Sequence, residues 1–238
     1  MTDRAELHDR LHRMRLMVIL EVAADGTWPG AAAPLPPACD ALVLSADDGW
    51  TPDVAARWLA NPLPAHGGPL LGVDVSSEDD DNTDDDGSLL DESRRDEAGR
   101  ALALALRPDI VLEWAHVPPW SPPDDALLGW WCSGNTEVDG ADEGQIDLAL
   151  GLADPRVDFC LVSGGPRAVF EAVGIAGADT KPWFALVPDV DKATKALAAG
   201  ARRLAFDWRV PRPPAPWRRD APDPAADLAA IDALLRGV

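Results

Sequence analysis

Val157–Arg209, VDFCLVSGGPRAVFEAVGIAGADTKPWFALVPDVDKATKALAAGARRLAFDWR, decides the fold. It reads as strand, helix, strand, helix, strand. Val157–Ser163, Trp183–Val187 and Arg203–Arg209 are short apolar runs of strand length, while Pro166–Ala176 and Asp191–Ala199 carry apolar residues at helical spacing. Pro166 falls in a first turn, where a missing N–H costs nothing. Ala176-Gly177-Ala178 and Ala199-Gly200-Ala201 each end a helix with a glycine suited to the left-handed conformation. Strands that alternate with helices are parallel neighbours joined by crossovers.

The same rhythm extends toward the N-terminus. Arg15–Val22, Ala41–Ala46, Pro69–Val75, Asp109–Ala115 and Leu127–Ser133 read as five earlier strands. Helices are expected at Thr51–Ala60, Asp91–Leu106 and Glu143–Ala153, and a last one at Ala225–Leu235. The Pro-rich stretch Pro118–Pro123 leaves little room for a regular helix before the fifth strand, and none is evident after the first. Eight strands in one chain of 238 residues is the count of an α/β protein of the (β/α)8 TIM-barrel type, irregular after strands one and four. An open doubly wound parallel sheet is the alternative. No linker interrupts the pattern, so 1–238 reads as one domain.

Asp and Glu number 41 against 21 Lys and Arg, a net charge of −20 that repels phosphate backbones and anionic leaflets. Nucleic acid and membranes are therefore not the expected partners. The preference for Asp over Glu, and the presence of only Lys181, Lys192 and Lys195, fits a surface adapted to high salt; a GC-rich genome produces the same bias. Cys39, Cys132 and Cys160 show no CxxC spacing, which points to a reducing cytoplasm rather than a disulfide or zinc framework. Leu16–Leu20 is too short for a signal sequence, and no apolar run approaches a membrane span.

In a parallel barrel, chemistry collects at the C-terminal ends of the strands. Side chains alternate along a strand, so placing an acid inside assigns its neighbours. Asp207 inward sends Phe206 and Trp208 to the helices and keeps Ala205 and Arg209 on the acid's face. Asp74 inward takes Gly72 with it, and Glu113 inward would take Val111 and leave Leu112 and Trp114 outside. The same rule adds Glu21, Asp47 or Ser45, Ser133, Ser163 and Asp189 to the rim. Asp47 and Asp189 also fit the plainer role of helix caps.

Two unit charges about 6 Å apart repel by about 3 kcal/mol at an effective dielectric of 20. Clustered carboxylates must therefore be wet, protonated, paired with Arg209 or His116, or bridged by a cation. Glu21, Asp74, Glu113 and Asp207 form an oxygen-rich set suited to Mg²⁺ or Mn²⁺. Glu113 and Asp207, with His116 and Arg209, are the candidate catalytic groups. The strand–helix junction Ser163-Gly164-Gly165, with Arg167, is a candidate anion cradle, although it lacks the lysine of a P-loop and the third glycine of a nucleotide fingerprint. Trp131, beside Trp120 and Trp130, is a candidate stacking surface for a planar ligand. Asn82–Gly87 and Asn135–Gly140 open like calcium loops but lack the closing glutamate.

Cys39–Ala60, CDALVLSADDGWTPDVAARWLA, resembles the second strand–helix unit of the citrate lyase β-subunit and HpcH aldolase barrels, where a strand ending Leu-Glu-Asp precedes a helix with proline near its start. The resemblance covers this stretch alone and implies a barrel. The family's arginine on the next strand and its metal-binding glutamate have no match here, so no site residue is carried over.

The expectation is a barrel enzyme acting on a small polar molecule by a metal-assisted lyase or aldolase-type reaction. Glycoside hydrolysis by paired carboxylates is the second reading. A catalytically silent barrel that binds a partner, or a homo-oligomer, is the third.

Overall fold

The computed structural model describes residues 3–22, 39–46, 50–60, 69–75, 89–114, 122–123, 125–133, 143–163, 166–176, 181–208 and 224–237. Strands β1 (Leu16–Val22), β2 (Ala41–Ala46), β3 (Leu70–Asp74), β4 (Ile110–Trp114), β5 (Leu127–Ser133), β6 (Phe159–Ser163), β7 (Trp183–Val187) and β8 (Leu204–Trp208) follow one another around a closed barrel. Every neighbouring pair is parallel, including β8 with β1, so the fold is the (β/α)8 type and the open-sheet alternative is excluded. Helices α2 (Pro52–Ala60), α3 (Leu89–Leu106), α4 (Glu143–Ala153), α5 (Pro166–Ala176), α6 (Val190–Ala198) and α7 (Pro224–Arg236) are the crossovers and the closing helix. The connections from β1 to β2 and from β4 to β5, the two places expected to be irregular, lie mostly outside the described residues.

Alternation divides the apolar residues into an inside and an outside. Met17, Ile19, Ala41, Val43, Leu70, Ile110, Leu112, Leu127, Phe159, Leu161, Phe184 and Ala205 fill the interior. Leu16, Val18, Leu20, Leu42, Leu44, Val73, Val111, Leu204, Phe206 and Trp208 pack outward beneath the helices. Space inside is shared unevenly. Gly72 and Gly129 flank β4 in register with Ile110 and Leu112 respectively. A Cβ on Gly129 would lie 2.6 Å from Leu112 Cδ2 and 2.3 Å from Phe159 Cζ, and one on Gly72 would lie 2.7 Å from Val43 Cγ2. The two glycines thus vacate the volume that Ile110, Leu112 and Phe159 occupy.

A helix that the strand rhythm does not announce, α1 (Arg4–Arg13), closes the floor of the barrel. Leu7, Leu11 and Met14 are buried with the interior residues, each contributing about 2 kcal/mol of apolar transfer. Arg4 binds Asp158 through Nη2 at 2.9 and 3.1 Å and donates to the Ala126 carbonyl at 2.6 Å, while His8 Nε2 lies 3.1 Å from Asp158. At the other end of the helix, Arg203 donates to the His12 carbonyl at 3.1 Å. The helix therefore spans the floor from β5 and β6 to β8.

The floor also reuses one device three times. Asp40, Asp109 and Asp158 each precede an even-numbered strand and accept from a backbone N–H within one residue of the start of the strand before it. The donors are Arg15 and Leu16 at 2.7 and 3.0 Å, Leu71 at 3.0 Å, and Leu128 at 2.8 Å. These N–H groups lie near the ends of their ladders, and the aspartates satisfy them. No described helix is long and apolar enough to cross a membrane.

Candidate functional site

Three of the four expected rim acids face the interior. Glu21 lies two residues beyond Ile19 on β1 and pairs in register with Ser45 of β2. Asp74 ends β3 on the face of Gly72, and Asp207 of β8 pairs with Ile19. Glu21 and Asp74 are buried, and Asp207 is half-buried.

Asp74 is held from both sides. Ser45 Oγ donates to its Oδ2 at 3.2 Å, and Trp131 Nε1–H donates to its Oδ1 at 3.3 Å. Trp131 belongs to β5, so its indole reaches past β4 to β3. Trp50 Nε1–H donates at 2.7 Å to the backbone carbonyl of Asp74, and Val75 N–H bonds to the Leu112 carbonyl at 3.0 Å. Gly99 of α3 lets this corner close, since a Cβ there would stand 3.0 Å from the Trp50 ring and 3.3 Å from Val75. Carboxylate and backbone are both fixed before any ligand arrives.

Glu113 is the correction. Its neighbour Val111 packs in the helix layer and Leu112 in the interior, so β4 has the parity opposite to that expected. The Glu113 carboxylate, buried outside the barrel wall, meets Arg100 Nη2 of α3 at 3.1 Å. The reason is volume: Gly72 and Gly129 open the interior beside β4 to large aliphatic groups, and an inward Glu113 would have surrendered Leu112 from that space. The quartet Glu21, Asp74, Glu113 and Asp207 therefore does not share one cavity. Among the described residues no group of three or more His, Cys, Asp or Glu side chains could hold a metal ion.

The remaining candidates divide. Trp131 is inside, but as a hydrogen-bond donor to Asp74. Ser163 ends β6 half-buried, its Oγ donating to the Cys132 carbonyl at 3.4 Å. Arg167 is exposed on α5 and pairs with Glu171 at 2.9 Å, an ordinary i,i+4 pair. Asp189 is a helix cap, its Oδ1 accepting from Lys192 N–H at 2.8 Å. His116, Gly164, Gly165 and Arg209 lie outside the described residues, as do Asp47, Trp120 and both calcium-like loops.

Nucleophilic alternatives are weak. Burial, with the nearby Asp40 charge, pushes the Cys39 thiol up to about 12, and all three cysteines are buried and outside any disulfide. Lys181 donates to the Asp154 carbonyl at the floor, opposite the mouth. Ser45 was legible only as an alternative to Asp47. The roles of Trp50, Trp131 and Arg100 were not legible, because each depends on contacts between strands and helices distant in sequence. No protein-family model and no curated protein matches the chain.

Proposed function

We propose that the protein is an enzyme that takes a small polar molecule into the C-terminal mouth of the barrel and moves protons on it with Asp74, Asp207 and Glu21. Asp74 carries this reading. Its carboxylate is buried inside a closed barrel and oriented by two side-chain donors on different strands. Asp40, Asp109 and Asp158, by contrast, are committed to backbone N–H groups. Asp207 is half-buried and keeps access to water, which suits the group that exchanges its proton at each turnover.

The chemistry we favour is of the lyase or aldolase type, in which one carboxylate removes a proton from a hydroxyl or an activated carbon and another returns it. A divalent cation in this mouth, Mg²⁺ or Mn²⁺, would need ligands beyond Glu21, Asp74 and Asp207, because these three do not form a group that could hold a metal ion. The Glu113–Asp207 pair expected for glycoside hydrolysis is divided by the barrel wall. Three buried thiols support a reducing cytoplasm as the setting.

The test is a panel of hydroxy acids, oxo acids and sugars, followed by NMR with EDTA or with added Mg²⁺. We expect turnover of one class, reduced about a hundredfold or more in Asp74→Asn and Asp207→Asn and retained in Glu113→Gln. Indifference to EDTA removes the cation. Neither turnover nor a ligand-induced rise in melting temperature across the panel would replace the enzyme with a binding or assembly protein.

A further inference from the structure

One corner of the barrel floor gathers arginines in a chain whose net charge is −20. The last turn of α1 carries Arg10, His12 and Arg13, Arg15 follows at once, and Arg202 and Arg203 lead into β8. The fold brings these segments together. Leu204 N–H bonds to the Arg15 carbonyl at 2.9 Å, and Arg203 reaches the His12 carbonyl at 3.1 Å. Arg13, Arg15 and Arg202 are exposed, and none of them forms an ion pair among the described residues. Of the acids at this corner, Asp40 is turned onto the N–H groups of Arg15 and Leu16, and Asp9, one turn before Arg13 on α1, forms no ion pair among the described residues. Burial, and then the neighbouring Arg202 charge, push the Arg203 guanidinium below its ordinary value.

We propose that Arg13, Arg15, Arg202 and Arg203 form a docking surface for a short acidic segment of a partner protein. Guanidinium forks match carboxylates in paired hydrogen bonds. The net charge of −20 limits how far an anionic partner can extend, because past the patch it comes within a screening length, about 8–10 Å, of the chain's surplus acids and is repelled. That favours a few Asp or Glu side chains over a long phosphate backbone. Among the described residues, the exposed large apolar side chains, Leu59, Leu104, Leu150, Phe170 and Val173, all lie on other helices, so those of the patch supply neither the aromatic platforms of single-strand nucleic-acid sites nor the apolar face of a membrane anchor.

Fluorescence anisotropy with a labelled oligo-aspartate peptide tests this on the full chain. Binding is expected at low salt, weakened about tenfold or more in the Arg15→Gln/Arg202→Gln double variant and unchanged in Arg107→Gln, an exposed arginine beside β4. Both altered side chains are solvent-facing, and matching melting curves will show that the fold is kept. No binding by the parent chain, or equal loss in the Arg107 variant, overturns the proposal. Tighter binding of a single-stranded oligonucleotide or of anionic vesicles than of the peptide overturns the assignment to an acidic protein segment.

Discussion

Asp74 and Glu113 end neighbouring strands, yet they live on opposite sides of the barrel wall. Asp74 faces inward and accepts from Ser45 and Trp131; Glu113 faces outward and meets Arg100 of α3. Both are buried, so exposure alone would not separate them. What separates them is the company each strand keeps. On β3 the inward neighbour of Asp74 is Gly72, which costs the core no apolar volume. On β4 the inward face is Ile110 and Leu112, which fill the room left by Gly72 and Gly129. An acid is aimed by the residues two positions away and by the glycines on adjacent strands.

The largest effect should come from closing that room. Gly129→Ala puts a methyl 2.3 Å from Phe159 Cζ and 2.6 Å from Leu112 Cδ2, and should cost about 3 kcal/mol in denaturant unfolding. A variant as stable as the parent would mean that Leu112 is not confined by Gly129.

Next is the outer pair. Arg100→Ala removes the guanidinium from a buried carboxylate and should destabilise by about 2 kcal/mol, with a double-mutant cycle against Glu113→Gln showing coupling. Ligand binding at the mouth should be untouched in both single variants. A change in ligand affinity would erase the contrast drawn between the two acids.

Ser45→Ala and Trp131→Phe should each cost about 1 kcal/mol, because each removes one hydrogen bond to Asp74. Unlike the outer variants, they should shift the pH profile of turnover or ligand binding. Stability loss without such a shift would reduce the inner cluster to a structural one.

The smallest effect lies at the floor. Asp154, bonded by Arg156, is held at about 2 against an ordinary 3.8. A depressed folded-state value stabilises above pH 3.8 and loses that contribution as pH falls through about 2. The site is largely exposed, so Arg156→Ala should flatten the stability–pH curve only slightly in that window.

Much of the frame was readable from the chain. Each expected strand and helix appears within about two residues of its place, because strand length, helical spacing and the proline and glycine stops are local signals. Phe206 and Trp208 face the helices and Asp207 the interior, as alternation required. α1 was missed because its apolar stripe is Leu7, Leu11 and Met14 among charges, a short pattern whose partner is the barrel floor itself. The acids of the floor, Asp40, Asp109 and Asp158, stand one before each strand and look no different in sequence from the acids of the mouth.

Composition and periodicity determined the alternation of eight strands with helices, the acidic charge and the rule that residues two apart share a face. They did so because those properties belong to single elements or to the whole chain at once. The pairing of β8 with β1 that closes the ring came from the structure. Which face looks inward on β4, which acids are spent on backbone N–H groups, and which indole reaches Asp74 were decided only by the tertiary structure. Each is a contest for one volume or one donor among residues from different strands, and it is settled when the barrel closes and brings them together.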